Sequence, residues 1–308
     1  MTPSNRVRQM TEIIGLLIVI IILVACGTDE NREWTYVQWE CLIAEQTDYF
    51  DGTEYHRFYR GSLDAVGYAR GQNGVAFTKY AGNPILQDAV YPILVIDDKE
   101  NRYLIVQHRK GVSGHYLYSV NDPTRPVILN GGKPILRGDF CNVAVSIVGD
   151  RWHMLIEGKA DETFHLRYSW SDWPDLDFNR NLSEIVIQDA GNPAMTYIPE
   201  RNAILALYGA DYRATGVWRI RAAVFDFTRW RVTDFILSRP GVHLADPDLV
   251  CGVESSPVIV TIGAAQETVD TYYYRGTKAQ FFDDVSVGAV ELVPDRNNPT
   301  MTIHAGWQ

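Results

Sequence analysis

A five-residue phrase, Gly82-Asn83-Pro84-Ile85-Leu86, returns fifty residues later as Gly132-Lys133-Pro134-Ile135-Leu136. Tyr118-Ser119 and Tyr168-Ser169 stand the same distance apart. Short apolar runs keep the same beat at Pro92-Ile93-Leu94-Val95, Val143-Ala144-Val145-Ser146, Pro193-Ala194-Met195-Thr196 and Pro257-Val258-Ile259-Val260, at intervals of 51, 50 and 64. A looser, earlier member is Cys41-Leu42-Ile43-Ala44. A period near fifty means one supersecondary unit per repeat, each burying its apolar faces against its neighbours. The competing reading is a β-sandwich whose spacing is accidental.

Each period holds several short strands. Gly67-Tyr68-Ala69-Arg70 reads as a strand, Asn73-Gly74 as a tight hairpin turn, and Val75 to Tyr80 as the returning strand. No long amphipathic helix is visible, because Pro, Gly and β-branched residues interrupt every candidate window. The fold class that follows is all-β, a five-bladed β-propeller with four-stranded antiparallel blades, as one domain over residues 34–308. The expected innermost strands are Trp39–Ala44, Ile93–Ile96, Val143–Val148, Ala194–Ile198 and Val258–Ile262. The last blade is completed by strands at Thr271–Tyr274, Gln280–Phe282 and Val287–Val293.

The chain starts differently. Arg6 and Arg8 precede an apolar run from Ile13 to Ala25, 13 residues long, against the roughly 20 needed to cross a bilayer comfortably. That is a signal-peptide pattern. It ends in Leu23-Val24-Ala25-Cys26, which resembles a bacterial lipobox, so residues 1–25 are expected to be removed and Cys26 to carry lipid. An uncleaved anchor is the alternative; both place the domain in the cell envelope, facing away from the cytoplasm. Residues 26–33 read as the lipidated cysteine and a polar tether.

With 28 basic against 38 acidic side chains, a net charge of −10, nucleic acid and anionic membrane surfaces are poor partners. Cys41, Cys141 and Cys251 show no metal-ligand spacing. They read as buried free thiols, or with Cys41 and Cys251 paired across the closing blades. The seven histidines are scattered, so no protein-only metal site and no cofactor is expected; an axial calcium stays open. A monomer is expected.

The order Gly-Tyr-Ala-Arg, Asn-Gly-Val-Ala-Phe-Thr-Lys, Gly-Asn-Pro-Ile-Leu and a proline-led inner strand resembles the blades of five-bladed propeller glycosidases. These are the arabinanases and xylosidases of family 43, the invertases of family 32 and the related phosphorylases of family 130. Trp152-His153-Met154-Leu155-Ile156-Glu157-Gly158-Lys159 is similar to their second strand. The likeness covers most of residues 36–290 and rests on scaffold motifs. It implies a carbohydrate partner and a pair of carboxylic acids at the starts of the inner strands, one to protonate the leaving oxygen and one to activate water or attack the sugar.

Carboxylates lie just ahead of each expected inner strand at Glu40, Asp88, Asp139, Asp189 and Glu254. Glu157, ending an apolar strand before Gly158, is a further candidate, since the resembling proteins carry a similar glutamate. Those proteins place an acid directly before the inner-strand proline. Here that register holds Tyr91, Asn142, Asn192 and Ser256, while Glu40 keeps an acid in it. Tyrosine and asparagine bind sugar hydroxyls but are not ordinary bases at neutral pH, so Tyr91, Asn142 and Asn192 are substrate-binding candidates. Among aromatics that could stack on a sugar, Trp39 and Tyr91 stand at inner-strand starts, ahead of Trp152 and Tyr197. Three functions stay open: a lipid-anchored glycosidase, a sugar-binding propeller without catalysis, and a surface interaction scaffold.

Overall fold

The computed structural model describes residues 45–61, 64–72, 77–160, 163–250, 258–264, 268–290 and 293–294. Five antiparallel sheets follow one another along the chain. Blade one is β1 (Gln46–Phe50), β2 (Tyr55–Gly61), β3 (Ala65–Gly71) and β4 (Thr78–Lys79). Blade two is β5 (Ala89–Ile96), β6 (Arg102–His108), β7 (Gly114–Ser119) and β8 (Val127–Ile128), with β9 (Leu136–Arg137) also pairing β7. Blade three is β10 (Val143–Val148), β11 (Arg151–Ala160), β12 (Thr163–Asp172) and β13 (Ile185–Gln188). Blade four is β14 (Ala190–Ile198), β15 (Ala203–Ala210), β16 (Arg219–Phe225) and β17 (Trp230–Leu237). Blade five is β18 (Leu244–Leu249), β19 (Val258–Ala264), β20 (Thr268–Tyr274) and β21 (Val293–Pro294). The first strands touch in the order β1, β5, β10, β14, β18 and back to β1, which closes a five-bladed propeller.

The repeated phrase has a structural job. Ile85 donates its N–H to Val66 at 2.9 Å, and Ile135 donates to His115 at 2.8 Å, so each link is tied back to its own blade's third strand. Ile85 and Leu86 then pack into the seam between blades one and two, and Ile135 and Leu136 into the seam between two and three. Asn83 completes the clamp by accepting from Tyr68 N–H at 2.8 Å and donating to Tyr68 O at 2.9 Å. Its side chain satisfies backbone groups that an outer strand would otherwise pair.

Four seams are apolar. Leu104, Val106 and Phe58 fill one–two; Ile105, Met154 and Trp152 fill two–three. Leu155 and Tyr208 fill three–four, and Leu205, Val224, Val260 and Ile262 fill four–five. The fifth seam, where the ring closes, is polar among the described residues. Asp48 pairs with Arg57 at 2.6 Å, both buried; Asp48 N–H donates to Asp248 Oδ2 at 2.9 Å, and Gln46 donates to Thr261 at 3.3 Å.

Two expected registers are corrected. In blade one the innermost strand is Gln46–Phe50 rather than Trp39–Ala44, and in blade five it is Leu244–Leu249 rather than Val258–Ile262. Both true inner strands carry polar residues that the closing seam satisfies, so neither presents the apolar run that marks an inner strand elsewhere. The segment expected as a strand at Gln280–Phe282 is a helix, Lys278–Ser286. Thr277 and Gln280 form a reciprocal capping box, and Phe281, Phe282 and Val285 bury against blade four.

Candidate active site

In three blades the inner strand carries a β-bulge at one position. The register jumps at Tyr91-Pro92, Asn192-Pro193 and Asp246-Pro247, and the first residue of each pair has φ of 54°, 49° and 47°. Proline cannot donate to a ladder and is at home in a bulge. The extra residue re-aims the side chain before it. Glu45 stands just ahead of β1, and Asn142 just ahead of β10, in the corresponding places. The five side chains of the mouth are therefore Glu45, Tyr91, Asn142, Asn192 and Asp246, with Glu157 of β11 reaching in beside them.

Contacts knit these positions together. The Tyr91 backbone lies near enough to Glu45 to favour its ionised form. Asn142 Nδ2 donates to Asn192 Oδ1 and, at 3.4 Å, to Glu157 Oε2. The Asn192 N–H also donates to Glu157 Oε2, and the Cys141 thiol lies near enough to favour the ionised carboxyl. Gly191 permits this approach: a Cβ there would lie 3.0 Å from Glu157 Oε2.

The three carboxyls have different environments. Glu157 is 3% exposed, and burial pushes it up to about 7 against the opposing donors from Asn192, Asn142 and Cys141. Burial also pushes Glu45 up to about 7, but Arg60 Nη1 lies 3.0 Å from Oε1 and 3.3 Å from Oε2 and favours its ionised form. Asp246, half-buried, has no cation partner among these contacts; burial, then the Glu45 and Glu157 carboxylates, raise it well above the usual range. All three carboxyls are thus raised toward the protonated form, and Glu45 is the one of the three that has an arginine in ion-pair contact.

An aromatic wall flanks this trio. Trp218 covers Gly209, where a Cβ would meet its ring at 3.2 Å, and Gly209 pairs across the strands with Gly191 beneath Glu157. Tyr212 stacks on Trp218 at 5.3 Å, and Phe164 lies 5.7 Å from it. Such rings suit the apolar faces of sugars. Among the described residues, the His and carboxylate side chains close enough to share an ion are Asp51 and Glu54 of the β1–β2 turn and His56 at the start of β2, rather than residues of the mouth.

No family model matches the chain, and no curated protein matches it in sequence. Solved structures match it in shape. The endo-arabinase of Bacteroides thetaiotaomicron superposes with a TM-score of 0.60 at 10% identity, over 78% of this chain and 96% of its own. A glycosyl hydrolase from Bacteroides ovatus gives 0.57 at 15%, over 81% and 92%. The native arabinanase of Bacillus subtilis gives 0.52 at 11%, over 77% and 91%. What they share with this chain is the five-bladed propeller.

Within the propeller, the expected site residues fall into three groups. Glu157, Tyr91, Asn142 and Asn192 gather at the mouth. Asp88, Asp139 and Asp189 each lie three residues ahead of a mouth position, on its rim. Asp88 pairs with Lys110, Asp139 is exposed, and Asp189 accepts from Arg213 N–H at 3.4 Å; none bonds to the trio. Glu40, Glu254, Trp39 and Cys26 lie outside the described residues. Since Val258–Ala264 is a second strand, Glu254 does not precede an inner one.

Sequence reading missed Glu45 and Asp246. A signal for Asp246 was present: Asp246-Pro247 is an acid directly before a proline, 54 residues after Asn192-Pro193 and closer to the common period than Pro257. Trp218 and Tyr212 were missed too, because they sit in a loop between β15 and β16 that no period marks. Trp152, a stacking candidate, is instead buried against Tyr103 at 5.2 Å in the seam between blades two and three. Tyr197 stands at the far end of β14, 6.1 Å from Phe227.

Proposed function

We propose that this chain is a glycoside hydrolase, anchored by a lipid on Cys26 and working outside the cytoplasm, with residues 1–25 as its signal peptide. The observation that carries the catalytic reading is the trio at the mouth, in which Glu45 pairs with Arg60 while Asp246, without a cation partner among the described contacts, is raised by burial and by the Glu45 and Glu157 carboxylates. Asp246 is the general acid: its proton passes to the glycosidic oxygen as the bond from that oxygen to the anomeric carbon breaks. Glu45, steadied by Arg60, is the base: it takes a proton from the water whose oxygen bonds to the anomeric carbon. Glu157 positions Asn142 and Asn192, which meet the sugar hydroxyls, and Trp218 with Tyr212 offers the stacking face. The propeller fold shared with arabinanases and a glycosyl hydrolase supports a sugar substrate.

The test is turnover of arabinan, xylan and aryl glycosides by the full-length chain in detergent, beside Glu45→Gln and Asp246→Asn. A drop of about 100-fold or more in kcat in both variants, with melting retained, is expected. Unchanged turnover in either refutes its role. Saturable sugar binding without turnover, weakened by Asn192→Ala, would identify a binding propeller instead.

A further inference from the structure

Among the described residues, two guanidinium groups lie against Tyr91 at the mouth, and they are not equivalent. Both lie against the ring of Tyr91, Arg60 at 5.5 Å and Arg109 at 5.3 Å from its centroid. Arg60 is already neutralised, by Glu45 at 3.0 Å and Asp64 at 2.8 Å. Lys110, next along the chain from Arg109, is taken by Asp88. Arg109 makes no ion pair with a described carboxylate.

Arg109 is nonetheless held in place. Its Nη2 donates to the Tyr91 hydroxyl at 2.8 Å and its Nε to Gln107 Oε1 at 3.4 Å. Gln107 is itself buried and anchored, through Nε2, on Phe140 O in the link to blade three. Two of the five guanidinium N–H groups are thus used within the protein, and the rest of the fork is left on an exposed side chain. Arg109 is close enough to Glu45, Tyr91 and Cys141 to bear on the charge of each, which places it between blades one, two and three at the opening.

A fixed, solvent-facing guanidinium without a counter-ion, beside an acid–base pair, is a receptor for a planar anion. We infer that the substrate is a uronic-acid glycoside, its carboxylate gripped by Arg109 while its ring lies over the trio. The assignment rests on the glycosidase reading above. A carboxylate matches the site better than inorganic phosphate, because one unpaired cation balances a single negative charge, and the neighbouring cations Arg60 and Lys110 are already spent.

The experiment measures binding of D-galacturonate and D-glucuronate against D-galactose and D-glucose to the full-length chain in detergent, by calorimetry or ligand-observed NMR. Arg109→Gln, Arg109→Lys and the control Arg125→Gln, in the link between β7 and β8 at the other end of the blade from Arg109, are run alongside. A uronate is expected to bind about tenfold to about a hundredfold more tightly than its neutral counterpart. Arg109→Gln erases that preference, Arg109→Lys keeps part of it, and Arg125→Gln leaves it intact. Equal affinities, or a preference unchanged in Arg109→Gln, overturn the inference. So does inorganic phosphate binding that depends on Arg109 with no gain for uronates. Turnover of neutral glycosides without a uronate preference overturns this inference and leaves the glycosidase reading standing; absence of both turnover and sugar binding overturns both.

Discussion

Replacing Glu157 with glutamine should stabilise the protein at pH 8.5 relative to pH 4.5. Burial raises this carboxyl from 4.5 to about 7, so the folded protein holds a proton that the unfolded chain releases earlier. The stability tied to that proton is fully present below pH 4.5 and is lost as pH rises through about 7. The loss is about 3 kcal/mol at the alkaline end. Glutamine is neutral throughout and keeps an oxygen for the Asn192 N–H. Relative to the parent, Glu157→Gln should therefore gain about 3 kcal/mol between pH 4.5 and pH 8.5, which at this chain size is about 5 °C in Tm. Chemical denaturation at both pH values, with calorimetry alongside, reads the difference directly. A variant that loses equal stability at both pH values refutes the argument, because it would mean that Glu157 is buried as an anion its donors fully support.

Three further outcomes follow from the same geometry. The pH profile of kcat/KM should be bell-shaped, with the alkaline limb set by Asp246 losing its proton. Substituting Asp246→Asn should remove that limb along with most of the rate, and a residual rate with the limb intact would reassign the acid. Gly191→Ala places a methyl 3.0 Å from Glu157 Oε2; turnover should fall about tenfold or more while Tm moves by only a few degrees, and unchanged kinetics would show that Glu157 need not hold its position. Asp48→Ala leaves the Arg57 guanidinium buried without its partner, at a cost of about 3–5 kcal/mol in a urea titration; a loss below about 1 kcal/mol would mean that water reaches Arg57.

The architecture was legible because its cause is repetition. The Gly82 and Gly132 phrases perform the same tie-back in successive blades, so their spacing reports the blade length. Blades two, three and four also present apolar inner strands; their C-terminal bounds agree with the expected ones, while those of blades two and four begin four residues earlier, ahead of the bulges. Blades one and five were misregistered for one physical reason. Their inner strands, Gln46–Phe50 and Leu244–Leu249, carry Asp48 and Asp248, and the polar groups buried there rely in part on partners 200 and 215 residues distant in the chain. Local hydrophobic pattern has no access to such partners, and it favoured Cys41–Ala44 and Val258–Ile262 instead. The site suffered from the same error, since Glu45 and Asp246 head those two strands. Of the residues singled out in blades with sound register, Glu157, Asn142 and Asn192 are in mutual contact.

Glu45 and Asp246 lie in neighbouring blades, one on each side of the polar seam that closes the ring. The gap between two such carboxyls governs the stereochemistry of glycoside cleavage: about 5 Å retains the anomeric configuration, and about 6.5–9.5 Å inverts it. Elsewhere in the ring, interdigitated aliphatic side chains set the distance between blades. At this joint directional bonds set it, from Asp48 N–H to Asp248 and from Gln46 to Thr261. The separation on which the proposed direct attack by water depends is thus held by two directional bonds in the layer beneath the two carboxyls rather than by packing.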